Sequence, residues 1–274
     1  MRIQFAGIKR KPSYSPNQIT NDALILLKTA EELIKLGADY VIYNEEEIEK
    51  VVIESDAIFS MARGTGAINK LIQLEKEGKL ILNPSHSVFN CYRVNMAVRL
   101  PSAGVSFPHS MIVKSKSEEE YKISDIGERK IWVKRGDVHA VHREDVSLVY
   151  SDEELNFLLK EFALRGIDDA VLQEHVNGDV IKFYSVRNTN FFYWYYMNGN
   201  NHYKFDVDHL KELALKSAET LEIIIYGGDA IVSEDGSITI IDVNDWPSFA
   251  PIRDEASIYI AETIYNYAME FSRF

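Results

Sequence analysis

The amino-acid sequence predicts two architectures in one chain: a small parallel α/β unit, followed by a longer antiparallel α+β region. The first 88 residues alternate short apolar runs with helix-spaced apolar positions, which is typical of a parallel sheet covered by helices. From residue 111 onward, short strands are joined by turn sequences, which favours antiparallel pairing. The chain has 274 residues, of which 46% are hydrophobic, so it is long enough to bury a large core.

Composition argues against several classes of protein. The formal net charge of −12 disfavours non-specific nucleic-acid binding by the whole molecule, so nucleic acid is not an expected partner, although a local basic cleft is left open. The single cysteine, Cys91, excludes an internal disulfide and a cysteine zinc site. No apolar run approaches the length of a membrane span, and the N-terminus has no apolar signal core. We therefore expect a cytoplasmic protein with no membrane partner, and the oligomeric state is left open.

The elements of the first unit follow from apolar spacing and glycine stops. Helix-spaced apolar positions predict helices over residues 18–36 and 67–77, each ended by a glycine, and a further helix over residues 45–53. The predicted strands cover residues 3–8, 40–43, 57–62 and 79–82. Three segments follow predicted strand ends, where open α/β sheets bind ligands: residues 9–14, 63–66 and 83–86. Two of the three are basic, so they are interpreted either as an anion-recognition surface or as ordinary solvated loops.

The second region carries shorter and more numerous strands. They are predicted over residues 111–114, 130–134, 147–150, 171–175, 180–187 and 191–197. Helices are predicted over residues 89–100, 152–162, 206–220 and 254–271. The sequence YGGDAIVSEDGSITIIDVNDWPSF, residues 226–249, adds a hairpin between the last two helices.

That hairpin predicts a cation site. With residues 235–236, Asp-Gly, as a two-residue turn, Asp229 lies directly opposite Asp242, at a Cβ separation of about 5 Å. Two carboxylates within apolar strands repel each other and resist burial unless a cation lies between them. Asn244 projects from the same face as Asp242. Oxygen donors of this kind suit Mg²⁺ or Mn²⁺, and the alternative is a surface hairpin with solvated acids.

Two lysines on separate predicted strands complete a set of groups for phosphate chemistry. Lys134 ends the strand IWVK, before a flexible loop, and Lys182 lies in the apolar strand VIKFYSV. A lysine among apolar neighbours must reach solvent or meet an anion. Lysines that contact phosphate oxygens, together with a divalent metal, are the general requirement of nucleotide-dependent phosphoryl transfer.

These motifs resemble the ATP-grasp superfamily. The run LQEHVNGDVIKFY is followed about fifty residues later by YGGDAIV and IIDVNDWPSF. The resemblance covers roughly residue 89 to the end, and it implies a fold that clamps ATP between two α+β lobes. The division that it implies is an N-terminal α/β domain over residues 1–88, a first lobe over 89–172 and a second lobe with the metal site over 173–274.

The resemblance also implies roles for the nucleotide-binding residues. Lys134 would hold the α- and β-phosphates. Gln173 would meet the adenine amino group, and Glu174 follows it in the hinge motif. The backbone of His175 and Val176 would pair with the edge of the adenine ring.

Further roles follow for the ribose, the γ-phosphate and the metal. Asp179 would lie near the ribose, although the usual acid of the superfamily could instead correspond to Val180. Lys182 would reach the γ-phosphate or the substrate. The three donors of the hairpin would bind one or two Mg²⁺ (or Mn²⁺) ions.

The chain departs from the superfamily pattern in two places. Many ligases of this type carry an arginine on the strand after the lysine strand, but FFYWYYM has none, so Arg187 and Arg253 are the candidates to act beside Lys182 in catalysis. The loop after the first lysine contains one glycine and two histidines, His139 and His142, which either contact phosphate or lie at the surface. The aromatic residues 193–195 are expected to pack in the core, and Trp246 either packs there or walls the substrate site.

The function implied by the resemblance is ATP- and Mg²⁺-dependent ligation of a carboxylate to an amine through an acyl phosphate, with a small anionic substrate. The first alternative is a small-molecule kinase, similar to the inositol-phosphate kinases of the superfamily. The second is a nucleotide-binding module without turnover.

Overall fold

The computed structural model describes residues 2–15, 18–55, 57–138, 141–198 and 200–271, and in these residues it forms three four-stranded sheets. The first sheet contains β1 (Gln4–Lys9), β2 (Asp39–Asn44), β3 (Ala57–Ser60) and β4 (Leu80–Leu82). All neighbours are parallel, in the order β2-β1-β3-β4, so the predicted parallel sheet is confirmed. Two long helices accompany it, α1 (Ile19–Lys35) and α2 (Thr65–Lys76).

The helix predicted over residues 45–53 is wrong, because this segment forms turns. The Glu45 side chain points inward and accepts hydrogen bonds from the backbone N–H groups of Lys11 (2.6 Å) and Arg63 (3.0 Å). It also accepts one from the N–H of Gly64. Glu45 therefore joins two of the loops at the strand ends, and this tertiary contact outweighs the local helical pattern.

The single helix predicted over residues 89–100 is two helices. These are α3 (Ser87–Asn90) and α4 (Arg93–Ser102), and the extended backbone of Tyr92 separates them. The buried face of α4 carries Arg93, Met96 and Leu100 at helical spacing. An arginine therefore lies on a face that otherwise packs in the core.

The second sheet is antiparallel, in the order β5-β8-β6-β7. Its strands are β5 (Ser110–Lys114), β6 (Ile131–Arg135), β7 (Val146–Val149) and β8 (Asp169–Glu174). Helix α5 (Asp152–Leu164) begins at Ser151, whose side chain accepts a hydrogen bond from the N–H of Glu154. It buries Leu155, Leu159 and Phe162.

The third sheet is also antiparallel, in the order β10-β9-β11-β12, so the α+β character of the second region is confirmed. Its strands are β9 (Asp179–Val186), β10 (Phe192–Asn198), β11 (Ile225–Val232) and β12 (Ile238–Asp245). Helix α6 (Val207–Leu221) packs on this sheet, and α7 (Arg253–Phe271) packs on α1 of the first unit. Within the described residues, no helix combines the length and the apolar character needed to cross a membrane.

The β11–β12 hairpin reaches the predicted register by an unexpected route. The predicted two-residue turn is wrong, since Ser233 and Ser237 close a three-residue connection in which Gly236 has φ +84°. A bulge at Ile241 shifts the register back by one residue. Asp229 therefore does face Asp242, as predicted.

The first unit is fastened to the third sheet by Asn83. Its side-chain Nδ2 donates to the carbonyl of Ile225 (2.8 Å), and its Oδ1 accepts from the N–H groups of Ile224 (2.9 Å) and Ile225 (2.8 Å). The segment of residues 83–86 thus contains a structural contact between units. This contact places the first sheet beside the end of β11.

Candidate active site

A tyrosine and three charged side chains form a row across the four strands of the third sheet. Tyr195 on β10 faces Lys182 on β9, which faces Asp229 on β11, which faces Asp242 on β12. The Nζ of Lys182 lies 2.6 Å from Oδ1 of Asp229, and both side chains are about one-fifth exposed, at 22% and 18%. The structure thus brings together the second lysine and the two aspartates that the sequence analysis selected.

The protonation of this row is set by burial and by neighbouring charge. Burial raises the pKa of Asp229, and the facing carboxylate of Asp242 adds to that effect, while Lys182 opposes it. Burial acts to lower the pKa of Lys182, but the carboxylate of Asp229 outweighs burial, so that pKa is raised. Lys182 therefore stays charged and neutralises one of the two carboxylates.

The oxygen donors of the hairpin fit a hard divalent cation. Oδ1 of Asp242 is buried and has no hydrogen-bond donor among the described residues. Asn244 is two residues further along β12, on the same face. The described part of the chain contains no group of three His, Cys, Asp or Glu side chains that could hold a metal ion. The candidate ligands of the hairpin are instead two carboxylates and one amide. Such all-oxygen donors suit Mg²⁺ or Mn²⁺.

Lys134 on β6 is the other lysine of the site, and it is buried. Its Nζ donates to Oε1 of Gln173 (2.6 Å) and to the carbonyl of Ile241 (3.3 Å), the bulged residue of β12. Burial lowers the pKa of Lys134 to about 8, although Asp242 acts in the opposite direction. Gln173 also donates from Nε2 to Ser110 Oγ (3.1 Å), so its side chain orients the lysine.

A first cavity of about 330 Å³ lies between the second and third sheets. Apolar side chains of both sheets line it: Trp132 and Val146 from one, and Val180, Ile231 and Ile241 from the other. Lys134, Gln173, Glu174, His175 and Val176 also line it, together with Asp229 and Asp242. The ring of His175 stacks on Trp132, with centroids 6.2 Å apart.

The hinge between the two sheets offers backbone polar groups to this cavity. His175 and Val176 follow the end of β8, outside the strand. Among the described residues, their backbone N–H and C=O groups have no backbone partner. A slot with apolar walls and free peptide groups at one edge is suited to a flat heterocycle.

Asp179 does not reach this cavity. Its carboxylate is buried on the opposite face of β9, where it accepts hydrogen bonds from the N–H of Tyr203 (3.2 Å) and from Asn201 Nδ2 (3.4 Å). Because side chains alternate along a strand, the next residue, Val180, lines the cavity instead. The role of Asp179 in this structure is to anchor the segment that follows β10.

The structure places Arg93 at the site, although no sequence motif indicated it. Its Nη2 lies 3.4 Å from Oδ2 of Asp242, its side chain is 8% exposed, and its Nε is buried without a partner among the described residues. Arg187 lies elsewhere, in a groove beside α7, and Arg253 donates to Oδ1 of Asn21 (2.6 Å). The signal in the sequence was the position of Arg93 on the apolar face of a helix.

The loop after Lys134 is held by its own charges. Arg135 bonds Asp137 (2.6 Å) and Asp145 (3.1 Å), and Arg165 bonds the same Asp145 (2.5 Å). Gly136 donates from its N–H to the carbonyl of Asp169 (2.8 Å), and a Cβ on Gly136 would lie 2.8 Å from that oxygen. This glycine is therefore required for packing. His142 lies outside both cavities, and His139 lies outside the described residues.

A second cavity of about 530 Å³ adjoins the first, and Arg93, Asp229 and Asp242 line both. Lys182 and Asn244 line the second cavity, together with residues of the first unit and of the segment after β12. The two cavities thus meet at one arginine and two facing carboxylates.

The basic residues of the first unit support the second cavity through structural bonds. Arg10 donates to Asp22 (2.8 Å) and to the carbonyl of Trp246 (3.0 Å), while Arg63 donates to the carbonyl of Asp245 (2.9 Å). Trp246 has φ +36° and is buried against Phe59, so it packs in the core. These arginines hold the segment after β12 in a backbone conformation that is otherwise strained.

Comparison with solved structures identifies the fold as that of the ATP-grasp ligases. A D-alanine–D-alanine ligase from Bacillus anthracis, complexed with ATP, matches with a TM-score of 0.74 and 14% identity, over 98% of both chains. D-alanyl-alanine synthetase A from Vibrio cholerae matches with a TM-score of 0.72 and 9% identity, over 97% of this chain and 98% of that chain. A RimK domain ATP-grasp protein from Sphaerobacter thermophilus matches with a TM-score of 0.69 and 15% identity, over 94% and 98%.

The fold predicted from the motifs is therefore confirmed, as an α/β unit followed by two α+β lobes. No protein-family model matches the sequence, and no curated protein sequence matches it significantly.

Proposed function

We propose that this protein is an ATP-dependent ligase that joins a small-molecule carboxylate to an amine through an acyl phosphate. The observation that carries the proposal is the shared wall of the two cavities, formed by Arg93, Asp229 and Asp242. A phosphoryl group that passes from a nucleotide in one cavity to an acid in the other must cross that wall. Cationic and metal-binding groups are concentrated there, where negative charge develops.

The first cavity is the proposed ATP site. Its apolar walls accept the adenine ring, and the free peptide groups of His175 and Val176 pair with the ring edge. Lys134 lies near Asp242 and is directed to the phosphates by Gln173. The Bacillus anthracis structure of the same fold is a complex with ATP, which supports this assignment.

The proposed metal site is Asp229, Asp242 and Asn244. Oδ1 of Asp242 receives no hydrogen bond within the described residues, so it is available as a metal ligand. Mg²⁺ or Mn²⁺ held by these three residues would supply positive charge that neutralises the phosphates of the nucleotide. We also propose the three-unit division at residues 88 and 172, in which the metal site belongs to the last unit.

The first chemical step is phosphoryl transfer. An oxygen of the substrate carboxylate attacks the γ-phosphorus, the bond from that phosphorus to the bridging oxygen of ADP breaks, and an acyl phosphate and ADP form. Lys182 and Arg93 stabilise the charge on the transferring group and orient the small anionic substrate. Arg93 thus takes the place proposed for Arg187 or Arg253.

The second step forms the amide. The amine nitrogen attacks the acyl carbon, the C–N bond forms, and inorganic phosphate leaves with the former carboxylate oxygen. The amine loses a proton to solvent or to the departing phosphate. Arg93 and Lys182 stabilise the leaving phosphate by the same charges that stabilised its transfer.

Hydroxylamine provides a test that needs no knowledge of the natural amine. The protein is incubated with MgATP, pools of carboxylic acids and hydroxylamine, which converts an acyl phosphate into a hydroxamate. We expect hydroxamate and ADP in equal amounts. Stable transfer of labelled γ-phosphate to a hydroxyl compound, without hydroxamate, would instead establish a kinase and overturn the ligase assignment.

Two arginine variants sharpen the experiment. Arg93→Met should lower the rate of hydroxamate formation by at least about a hundredfold, the scale of losing one preorganised charge at a transition state. Arg187→Met removes an equal charge from a groove outside both cavities and should leave the rate near wild type. Equal losses in the two variants would remove Arg93 from the mechanism.

A further inference from the structure

The second cavity has an aromatic wall, which we define as Tyr184, Tyr195, Met197 and Pro247. Tyr195 and Met197 lie on the same face of β10, while Trp194 points to the other side and packs on Phe205 (4.9 Å). The rings of Tyr184 and Tyr195 stack, with centroids 6.4 Å apart and planes at 30°. The two rings thus pack on each other at this side of the cavity.

A glycine allows the aromatic wall to lie close to β12, the strand that carries Asn244. Tyr184 faces Gly227 across β9 and β11, and Gly227 faces Asn244 across β11 and β12. A Cβ on Gly227 would lie 2.8 Å from Cδ1 of Tyr184 and 2.9 Å from Cγ of Pro247. Because no side chain is present there, the ring and the proline approach each other next to Asn244. The space beside the wall suits a flat apolar body.

Two of the three carboxylates that line the cavity are already paired within the protein. Its described lining contains three, Asp22, Asp229 and Asp242. Asp22 accepts from Arg10 (2.8 Å) and from the hydroxyl of Ser15. Asp229 is bonded to Lys182 (2.6 Å). Asp242 keeps a buried Oδ1 without a donor among the described residues, but it is the proposed metal ligand. With a cation bound there, no carboxylate in this lining would be left to balance an ammonium group on a substrate.

One cation of the cavity is incompletely satisfied. Apart from its 3.4 Å approach to Asp242, Arg93 makes a single 3.5 Å hydrogen bond, from Nη1 to the carbonyl of Arg135. Its Nε has no partner within the described residues. An anion beside Arg93 is therefore favoured, and a second positive charge next to that anion is disfavoured by Arg93 and Lys182.

We propose that the acid substrate is a carboxylic acid with an aromatic body and without an ammonium group next to the carboxylate. The carboxylate lies at Arg93, and the ring lies against Tyr184 and Tyr195. This inference rests on the proposed ligase function and narrows its substrate class. It separates the protein from the D-alanine–D-alanine ligases of the same fold, whose named substrate is an amino acid.

Three acids test the proposal because they differ by one group at a time. 3-Phenylpropanoate has the ring and no ammonium, phenylalanine adds the ammonium, and propanoate removes the ring. With MgATP and hydroxylamine, we expect kcat/KM for 3-phenylpropanoate to exceed that for L- or D-phenylalanine and for propanoate by at least about tenfold each. Equal or better use of phenylalanine or propanoate would overturn the proposal, and so would the absence of any binding of 3-phenylpropanoate by calorimetry.

A pair of variants at one position tests the aromatic wall. Tyr195→Phe keeps the ring, so KM for 3-phenylpropanoate should stay within about twofold of wild type, whereas Tyr195→Ala should raise it by roughly tenfold. An unchanged KM in Tyr195→Ala would contradict the proposal that the aromatic wall binds the ring of the acid. MgATP binding, measured in the same samples, separates the two claims. If the wild-type protein does not bind MgATP, the proposed function itself is refuted. If it binds MgATP but prefers amino acids as substrates, only the proposed substrate class is refuted.

Discussion

Lys182 and Asp229 face each other on adjacent strands, with Nζ 2.6 Å from Oδ1, at the centre of the row that ends at Asp242. This pairing lets two facing carboxylates fold within a largely buried sheet, since one of them is already neutralised. The other carboxylate retains a buried oxygen without a donor. The same three residues therefore bear on both the stability of the sheet and the proposed cation site.

The ion pair predicts that substitutions of Lys182 and Asp229 have non-additive effects on the free energy of unfolding. Lys182→Met should lower the free energy of unfolding by about 1–3 kcal/mol, because Asp229 then remains largely buried beside Asp242 without its cation. Asp229→Asn in the same chain should recover part of that loss. Chemical denaturation of the two single variants and the double variant measures the coupling, and strict additivity would show that the pair contributes nothing.

Lys134 predicts a pH dependence of nucleotide affinity. Its pKa is lowered to about 8 by burial, so the free lysine loses its charge as pH rises through that value. Phosphates favour the charged form, so MgATP binding should take up a proton above pH 8. The affinity should then fall by up to about tenfold per pH unit, which calorimetry in buffers of different ionisation enthalpy can measure.

Lys134→Arg is the matched control for that dependence. Arginine keeps its charge throughout this range, so its affinity for MgATP should be flat between about pH 8 and 9.5. The same slope in the variant and the wild type would assign the titration to another group.

Arg10 predicts a link between the first unit and the second cavity, the proposed site of the acid substrate. Arg10→Met removes the partner of buried Asp22 and the donor to the carbonyl of Trp246. We expect a loss of about 3–5 kcal/mol in stability and a raised KM for the acid, with little change in MgATP affinity. Arg2→Met, whose side chain is 73% exposed, serves as the control. A larger effect on MgATP than on the acid would contradict this division of roles.

Much of the fold was predictable because periodicity and turn chemistry are local. The hairpin shows the limit of that reasoning. The three-residue connection shifts the register by one residue, and the bulge at Ile241 shifts it back. The prediction that Asp229 faces Asp242 was therefore correct, although the predicted turn was wrong. Nothing in the local sequence identifies that bulge. Its reason is tertiary, because the carbonyl of Ile241 accepts from Lys134 on another sheet.

The site was predictable where a residue and its neighbours share a motif, and not where distant elements meet. Lys134, Lys182 and the hairpin acids converge as predicted. Arg93 comes from a helix far away in sequence, and the positions of Arg187 and Arg253 depend on how α7 packs. Asp179 lies on the face of β9 opposite to the first cavity, and the next residue, Val180, lines the cavity, because side chains alternate along the strand.

We propose that Asp229 and Asp242 bind a divalent cation that MgATP brings to the wall between the two cavities. Calorimetric titration of ATP, with and without Mg²⁺, into wild type, Asp242→Asn and the exposed control Asp254→Asn tests it most directly. We expect Mg²⁺ to strengthen binding by at least about tenfold in wild type and in the control, and to have little effect in Asp242→Asn. Equal affinities with and without Mg²⁺ in the wild type, or a full Mg²⁺ effect in Asp242→Asn, would contradict the account.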